Sequence, residues 1–383
     1  MPKGRKRAAI QFHYGAGSLS RLPRLVRRMT PGRSLLLIVD PGIASIGERA
    51  EALLEASGLR TTSFADFSGD PRSRQIEAAA QAARAAGAEA VIAIGGGSAL
   101  DIAKLAAAVA GAEQPVESYA LCRAPLPAKG LPCLLVPTTA GTGSEATRTA
   151  VFTTEAGAKV WAWGEELRAD QVLLDPELTL GLPRQVTVAT GLDALVHAME
   201  AVTSRRGGRA SRALGLQAVR MAREALPQAA EAPGNLEARA RLLVAAWLAG
   251  RAIDLAGTGI AHALGHALGE VAGLHHGRAV ALGLKVALPR NVRAAPEAYA
   301  AIGRAFGLEG SEDEAVAEEL PLAFAQFLEK LGLDQQLPEG LSLERLLLTV
   351  QREENQPMLQ ANCHSYSQPE LRALLEALLP SPA

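Results

Sequence analysis

The segment AVIAIGGGSALDIAK, residues 90–104, decides the fold of the first half of the chain. Its first five residues are apolar and predict a buried strand. Three glycines follow at once, and a run of helical composition extends from Ser98 to Ala110. Glycines let a backbone approach a ligand closely, and a helix amino terminus presents unpaired amides with partial positive charge. The segment therefore predicts a pyrophosphate-binding site, and a plain tight turn is the alternative. Its sequence matches neither the Gly-x-Gly-x-x-Gly fingerprint nor a Walker loop.

Strands and helices alternate on both sides of that segment. The predicted strands are residues 35–39, 60–64, 90–94, 134–136 and 172–174, and the predicted helices are residues 48–56, 74–86 and 98–110. Such alternation predicts a parallel, Rossmann-like sheet with helices on both faces. The first half is therefore expected to be an α/β dinucleotide-binding domain.

The character of the chain changes after Asp175-Pro176. From about Pro183 to the end, long Ala/Leu/Arg stretches have helical spacing, and β-branched runs are almost absent. This pattern predicts an all-α second half. The boundary is placed within residues 178–183, which gives domains 1–181 and 182–383.

Composition limits the class of protein. A chain of 383 residues with 48% apolar residues and a net charge of −1 predicts about two globular domains, without bulk attraction for nucleic acid or membrane. Its three cysteines lie far apart, which fits a reducing compartment. We find no apolar run of membrane-spanning length and no signal-peptide core, so a cytoplasmic protein is expected.

A second glycine loop, PTTAGTGSE at residues 137–145, also follows a predicted strand. The hydroxyls and amides of Thr138, Thr139 and Thr142 could line a cofactor cleft at the carboxyl ends of the strands. Alone it could be only a flexible loop. Two such loops on one sheet favour a dinucleotide as the bound cofactor.

Five of the seven histidines lie between residues 190 and 277, in TGLDALVHAME (190–200), GIAHALGHALG (259–269) and HHG (275–277). Asp193 and His197 are four residues apart, which places both side chains on one face of a helix, and His262 and His266 repeat this spacing. An acid with several imidazoles is a ligand set suited to Fe2+ or Zn2+. Surface helix pairs have the same spacing, so the spacing alone leaves both interpretations open.

Five blocks of sequence together resemble a known family. Residues 95–104, 137–147, 175–183, 190–200 and 262–277 are similar, in order and spacing, to the iron-containing (group III) alcohol dehydrogenases. The resemblance implies a dehydroquinate synthase-like architecture, with an NAD-binding α/β domain, an all-α domain, and substrate and metal in the cleft between them. It implies hydride transfer between a small alcohol or diol and NAD, or the reverse reduction of an aldehyde, with the metal polarising the substrate oxygen.

The resemblance also implies which residues hold the metal. The implied ligands are Asp193, His197, His262 and His276. Iron is the family's usual metal, but Zn2+ suits the same ligands. His275 precedes the last ligand and is an alternative to it. His266 matches a histidine that is not a ligand, and we predict that it relays a proton, because imidazole titrates near neutral pH; its alternative role is packing beside the metal.

Cofactor contacts are implied in the same way. They are Asp70, Gly96, Gly97, Ser98, Asp101, Thr138, Thr139, Thr142, Thr149 and Lys159. Asp40 matches the acid of family members that prefer NAD, since a carboxylate at this position accepts hydrogen bonds from the ribose hydroxyls and repels a 2′-phosphate. Asp40 could instead be a turn residue before Pro41. The sequence therefore predicts NAD over NADP.

Three other functions are alternatives to an alcohol dehydrogenase. Maleylacetate reductases share much of this pattern without a metal, and the acid at Asp193 argues against that function. A dehydroquinate synthase-like lyase would need a cluster of basic residues that we do not find beside the histidines. The third rival is a non-catalytic metal- or nucleotide-binding regulator. The sequence predicts a small-molecule substrate without naming it, and the resemblance implies a homodimer or larger assembly.

Overall fold

The structure is a computed structural model that describes residues 9–128 and 130–379. The chain divides into two compact units, and each is described by itself. The first unit comprises Met1–Thr139 and Ser144–Gly181, and the second comprises Ala140–Gly143 and Leu182–Ala383. The second glycine loop therefore contributes four residues to the helical unit.

The first unit contains strands and helices in alternation. The strands are β1 (Gln11–Tyr14), β2 (Ser34–Val39), β3 (Arg60–Phe64), β4 (Ala90–Gly95), β5 (Cys133–Pro137), β6 (Thr149–Thr153), β7 (Lys159–Trp163) and β8 (Gln171–Leu174). The helices are α1 (Leu22–Met29), α2 (Ala44–Ala56), α3 (Ser73–Ala85) and α4 (Gly97–Val109).

The main sheet has six parallel strands in the order β1-β8-β5-β4-β2-β3. From β2 the chain first continues to β3 on one side and then crosses to β4 on the other side. The strand order thus reverses between β2 and β4. Open α/β sheets bind ligands at such a reversal, outside the carboxyl ends of the strands.

Strand β2 shows why the sheet is buried on both faces. Leu35, Leu37 and Val39 belong to a core cluster with α1 and α2, whereas Leu36 and Ile38 point to the opposite face and are fully buried as well. Helices α3 and α4 pack on β2 and on each other. A strand that is apolar at every position is what a parallel sheet covered on both faces requires.

All five predicted strands are present, each within two residues of its predicted bounds, but three further strands were not predicted. β1 is a four-residue edge strand of mixed polarity that pairs with β8, and it contains no apolar run that would indicate a strand. The antiparallel hairpin of β6 and β7 was also missed, because its burial alternates while its sequence does not. Ala150 and Phe152 are buried and Val151 between them is only partly buried, yet all three residues are apolar.

The second unit is all-α, as predicted. Its helices are α5 (Arg184–Thr203), α6 (Arg209–Glu231), α7 (Leu236–Ala256), α8 (Ile260–Ala272), α9 (His276–Ala294), α10 (Pro296–Ala305), α11 (Asp313–Lys330), α12 (Leu343–Val350), α13 (Gln356–Ala361) and α14 (Gln368–Leu378).

Helix α5 lies at the centre of the second unit. It packs against α6, α7, α9 and α10, and it is buried continuously from Thr187 to Thr203. A Cβ added at Gly191 would lie 2.4 Å from Leu226, so this glycine permits the close approach of α6. Polar side chains on a helix buried all round need partners or ligands, because an unpaired buried polar group is destabilising.

Among the described residues, no single helix is both long and apolar enough to cross a membrane. Helices α7 and α8 reach that length and composition only as a pair, which is bent by 106° at its break.

A buried ion pair connects α4 to the segment that precedes β6. The ammonium group of Lys104 donates to the carbonyl oxygens of Ser144, at 2.9 Å, and of Thr149, and it lies 3.1 Å from Asp101 Oδ1. Asp101 Oδ1 also accepts from Ser144 Oγ at 2.5 Å, and Asp101 Oδ2 accepts from the Val151 amide at 3.0 Å. The pair therefore holds one end of the second glycine loop against α4.

Replacing Lys104 by methionine should destabilise the protein by about 3 kcal/mol, because the buried Asp101 carboxylate and two carbonyl oxygens would lose their cation. Chemical denaturation followed by circular dichroism measures this change. Lys330→Met, at an exposed position on α11, is the control and should change stability by less than about 0.5 kcal/mol. Equal stabilities of the two variants would contradict the importance of the buried pair.

Candidate functional site

Helices α5, α8 and α9 bring Asp193, His262 and His276 together. One potential ligand atom from each of these residues lies within 4.8 Å of the others. The Nε2 atoms of His197, His262 and His276 lie 3.7, 3.6 and 3.6 Å from Asp193 Oδ1. These separations are too long for hydrogen bonds and suit donor atoms that share one ion.

Two of the donor atoms in this cluster lack hydrogen-bond partners among the described residues. Within the described part of the chain, Asp193 Oδ1 and His262 Nε2 are buried and have no hydrogen-bond partner. Buried polar atoms without partners are rare, because they are strongly destabilising. One carboxylate and three imidazoles are also the donor types that Fe2+ and Zn2+ prefer. The residues present therefore fit a divalent metal ion.

Close helix packing places these side chains. A Cβ at Gly277 would lie 1.9 Å from the carbonyl oxygen of Ala189, so only glycine lets the first turn of α9 approach α5. A Cβ at Gly265 would lie 2.5 Å from Val280, which permits the similar approach of α8 and α9. His276 is the neighbour of Gly277, and this contact carries it towards Asp193.

Glu200 holds His262, the predicted ligand on α8, and we did not predict this role. The Nδ1–H of His262 donates to Glu200 Oε2 at 2.5 Å, and Glu200 also accepts from the amides of Gly259 at 2.8 Å and Ala261 at 2.7 Å. The carboxylate thus caps the start of α8 and, when the His262 ring is neutral, leaves its lone pair on Nε2. Such carboxylate–histidine pairs orient metal ligands in many proteins. The seven-residue spacing from Asp193 could have indicated that Glu200 shares a helix face with it.

The ionisable groups of the cluster shift one another's pKa values. Burial alone would raise the pKa of Asp193, but the imidazoles of His197, His276 and His262 hold it well below its usual range. Burial lowers the pKa of His197 to about 4 although Asp193 opposes this. Burial would also lower the pKa of His262, but the Glu200 and Asp193 carboxylates outweigh it and raise that pKa to about 9. A metal that binds His262 must displace its proton, so metal binding is linked to proton release.

The two adjacent histidines at the start of α9 differ in their surroundings. His276 is half-buried and faces Asp193, whereas His275 is exposed and lies just before the helix. His266 is on α8, one turn after His262, and its ring centroid lies 5.7 Å from that of His276. The structure therefore places His276 with the predicted ligands and His266 beside them.

The predicted cofactor residues of the first unit gather at the carboxyl ends of β2, β4 and β5. The Asp40 amide donates to Ile94 O at 3.0 Å, and a Cβ built on Gly96 would lie 3.5 Å from Thr139 and 4.0 Å from Asp40 Oδ2. The Asp40 carboxylate accepts from the Gly42 amide at 2.9 Å. Asp40 is therefore a turn residue, as one interpretation held, and it also lies beside the glycine loop.

Three other predicted cofactor residues, Ser98, Asp70 and Lys159, make contacts at or beside the segment Gly69–Asp70. Ser98 Oγ donates to Gly69 O at 2.8 Å, and Lys159 Nζ lies 2.8 Å from Asp70 Oδ2. Asp101 differs, because both of its carboxylate oxygens are engaged by Ser144, Val151 and Lys104 in the interior. The remaining predicted residues are Gly97 at the start of α4, buried Thr138, half-buried Thr149 at the start of β6, and Thr142, which belongs to the second unit.

A dinucleotide-type sheet edge in one unit and an acid–imidazole cluster in the other together favour one class, that of metal-containing dehydrogenases. The family model described as iron-containing alcohol dehydrogenase matches residues 10–176, and the model for the carboxyl-terminal part of that family matches residues 187–379. The chain belongs to the iron-containing alcohol dehydrogenase family, a family of oxidoreductases.

Individual relatives cover most of the chain. It is 36% identical to sulfoacetaldehyde reductase from Bilophila wadsworthia over 292 residues, which are 76% of this chain and 75% of the relative. It is 36% identical to long-chain-alcohol dehydrogenase 1 from Geobacillus thermodenitrificans over 274 residues, which are 70% of this chain and 69% of the relative. A crystal structure of sulfoacetaldehyde reductase from Bifidobacterium kashiwanohense in complex with NAD+ superimposes with a TM-score of 0.88 at 26% identity, covering 97% of this chain and 98% of that chain.

These comparisons confirm the family, the fold class and the enzyme class predicted from the sequence. The predicted cofactors, NAD and iron, are those of the family as its description and the NAD+ complex show. The comparisons do not favour the maleylacetate reductase alternative. The substrates in the relatives' names differ in length and charge, so family membership leaves the substrate open.

Glu200→Gln should weaken metal binding about 10- to 100-fold, because His262 would lose the carboxylate that orients it. It should also lower stability by about 2 kcal/mol, because an amide cannot accept from all three donors. Metal competition with a chromophoric chelator and thermal unfolding measure the two effects.

The control for this variant is Glu224→Gln, which removes a carboxylate from a surface ion pair with Arg241. It should leave metal affinity unchanged. If Glu200→Gln binds metal as tightly as the unaltered protein, the orienting role of Glu200 is wrong.

Proposed function

We propose that the protein is a metal-dependent, NAD-linked alcohol dehydrogenase that also reduces aldehydes, with a small alcohol or diol as substrate. The observation that carries this proposal is the convergence of three imidazole nitrogens, each 3.6–3.7 Å from one buried carboxylate oxygen of Asp193. Such a cluster has no evident role in folding alone, because its unpaired polar atoms are destabilising.

The proposed ligands are Asp193, His197, His262 and His276, and the metal is Fe2+ or Zn2+. When bound, the ion supplies a Lewis acid for the substrate oxygen, and NAD supplies the hydride acceptor. Glu200 keeps the Nδ1 proton on His262, so that Nε2 stays available as a ligand atom. The buried packing of α5 around Asp193 excludes water and strengthens every charge interaction in the cluster.

His266 is proposed to move the substrate proton. Its ring lies beside His276 and is only half-buried, so it can exchange protons with solvent. When an alcohol is oxidised, the hydroxyl proton passes to this imidazole and then to water, and reduction of an aldehyde runs in the opposite direction.

The NAD site is proposed at the carboxyl ends of β2, β4 and β5. It comprises Asp40, Asp70, Gly96, Gly97, Ser98, Asp101, Thr138, Thr139, Thr142, Thr149 and Lys159. The support for Asp40 is its place beside the Gly96 loop at the reversal of strand order. For Asp101 we propose an indirect role, since its carboxylate holds the segment that leads into β6.

The wider assignments are also proposals. We propose an NAD-binding domain at residues 1–181, a metal- and substrate-binding domain at residues 182–383, a homodimer or larger assembly, and a cytoplasmic location. The composition and the family resemblance support them. The short Ala140–Gly143 segment, which clusters with the helical unit, is an exception to a simple division at residue 181.

The catalytic proposal predicts NADH formation from members of a panel of primary alcohols and diols, and its loss on metal removal. Asp193→Asn should lower kcat/KM about 10³-fold, since several kcal/mol of transition-state stabilisation depend on the ion. Absorbance of NADH and elemental analysis of anaerobically purified protein measure activity and metal content together. The exposed Asp313→Asn on α11 is the control and should retain both.

Activity that survives complete chelation of the metal would contradict this proposal and favour a metal-independent reductase. Restoration of activity by Fe2+ but not Zn2+, or the reverse, would identify the metal.

The cofactor proposal predicts a preference for NAD over NADP that depends on Asp40. Asp40→Asn keeps an oxygen for the Gly42 amide but removes the charge that repels a 2′-phosphate, so kcat/KM with NADP should rise about tenfold. Steady-state kinetics with both cofactors test this, again with Asp313→Asn as the control. Equal efficiencies of the unaltered enzyme with NAD and NADP would contradict the role of Asp40.

A further inference from the structure

A buried asparagine contacts the histidine that we propose as the proton relay. Asn355 ends a short 3-10 turn, Glu353–Asn355, and is 1% exposed. Its Oδ1 lies 3.0 Å from His266 Nδ1. The family resemblance assigned no role to Asn355, and it is 89 residues from its partner.

A second hydrogen bond decides which way the Asn355 amide faces. Its Nδ2 donates to the carbonyl oxygen of Thr349 at 2.8 Å. A carbonyl oxygen can only accept, so the amide nitrogen must face Thr349 and the amide oxygen must face His266. An amide oxygen is also only an acceptor, so His266 Nδ1 must carry a proton. A neutral imidazole has one N–H, which leaves the lone pair of His266 on Nε2.

An ion pair ties the same segment to the same helix. Arg352 Nη1 lies 2.9 and 2.7 Å from the two carboxylate oxygens of Glu270. Glu270 is four residues after His266, so the two contacts fall on successive turns of one face of α8. Arg352 is 38% exposed, and such a pair contributes little stability by itself. Its effect is to restrict the position of the turn that carries Asn355.

We propose that Asn355 is a positioning residue, which holds His266 as the Nδ1–H tautomer and so keeps Nε2 as the atom that takes up and releases the substrate proton. This inference rests on the relay role of His266 in the proposed function. Without the amide, the imidazole could rotate or carry its proton on Nε2, and in either state the Nε2 lone pair would no longer be held in one position for the substrate proton.

The tautomer can be measured directly in the full-length, Zn2+-loaded enzyme. Long-range proton–nitrogen NMR spectra of 15N-histidine-labelled protein separate protonated from unprotonated ring nitrogens, and His266→Ala identifies the signal. The unaltered enzyme should show a protonated Nδ1 and an unprotonated Nε2 at His266. A protonated Nε2 in neutral His266 would overturn the proposal without any variant of Asn355.

Asn355→Leu removes the acceptor at similar volume. Its kcat should fall about 10- to 100-fold, with KM and zinc content within about twofold, and His266 should no longer show a single Nδ1–H tautomer. Asn355→Asp retains an acceptor oxygen and should restore both the tautomer and most of kcat. An unchanged His266 spectrum and unchanged kcat in Asn355→Leu would overturn the positioning role.

Two further variants separate this inference from other effects. Asn291→Leu removes another buried asparagine of the helical unit, which bonds to Asn362 and Tyr366, and should leave the His266 signals unchanged. His266→Ala should lower kcat while zinc is retained. If His266→Ala keeps full kcat, the relay role itself fails; if only Asn355→Leu is without effect, the relay role stands and the positioning role fails.

Discussion

The structure depends on one buried negative charge, the carboxylate of Asp193 on the central helix α5. Its free oxygen lies at the centre of three imidazole nitrogens and has no hydrogen-bond partner among the described residues. A carboxylate this deeply buried is destabilising unless positive charge or a metal compensates for it. The packing of α9 on α5 at Gly277 and of α8 on α9 at Gly265, through contacts that only glycine allows, brings that compensation into place.

Two histidines on α8 are each held by a hydrogen bond from Nδ1, but their partners differ in charge. His262 and His266 each direct Nδ1 to a side-chain oxygen from a distant segment, a carboxylate at Glu200 and a neutral amide at Asn355. In both cases the lone pair of the neutral ring is left on Nε2. A carboxylate partner makes His262 more basic, which suits a ligand of a cation, whereas the neutral amide fixes geometry without adding charge. One helix thus carries the proposed metal ligand His262 and the proposed proton carrier His266, one turn apart.

The first unit brings backbone amides and hydroxyls to the edge of a buried sheet. The reversal of strand order between β2 and β4 leaves Asp40 and the glycine loop as neighbours. The buried pair of Lys104 and Asp101 then holds the neighbouring segment of the second glycine loop to α4. A rigid edge of this kind requires little further ordering when a ligand binds.

Local patterns in the sequence determined much of this protein. The apolar run and glycines at residues 90–97 predicted a strand–loop–helix unit, and the spacing of Asp193 and His197 predicted a shared helix face, because both patterns act over a few residues. The tertiary structure alone decided the rest. The hydrogen bonds between Glu200 and His262 and between Asn355 and His266 span 62 and 89 residues. Strand β1 is defined only by its pairing with β8. The exposure of His275 beside the half-buried His276 follows from how α9 begins against α5. Such contacts join residues that periodicity cannot relate, since they depend on how elements pack rather than on how each one forms.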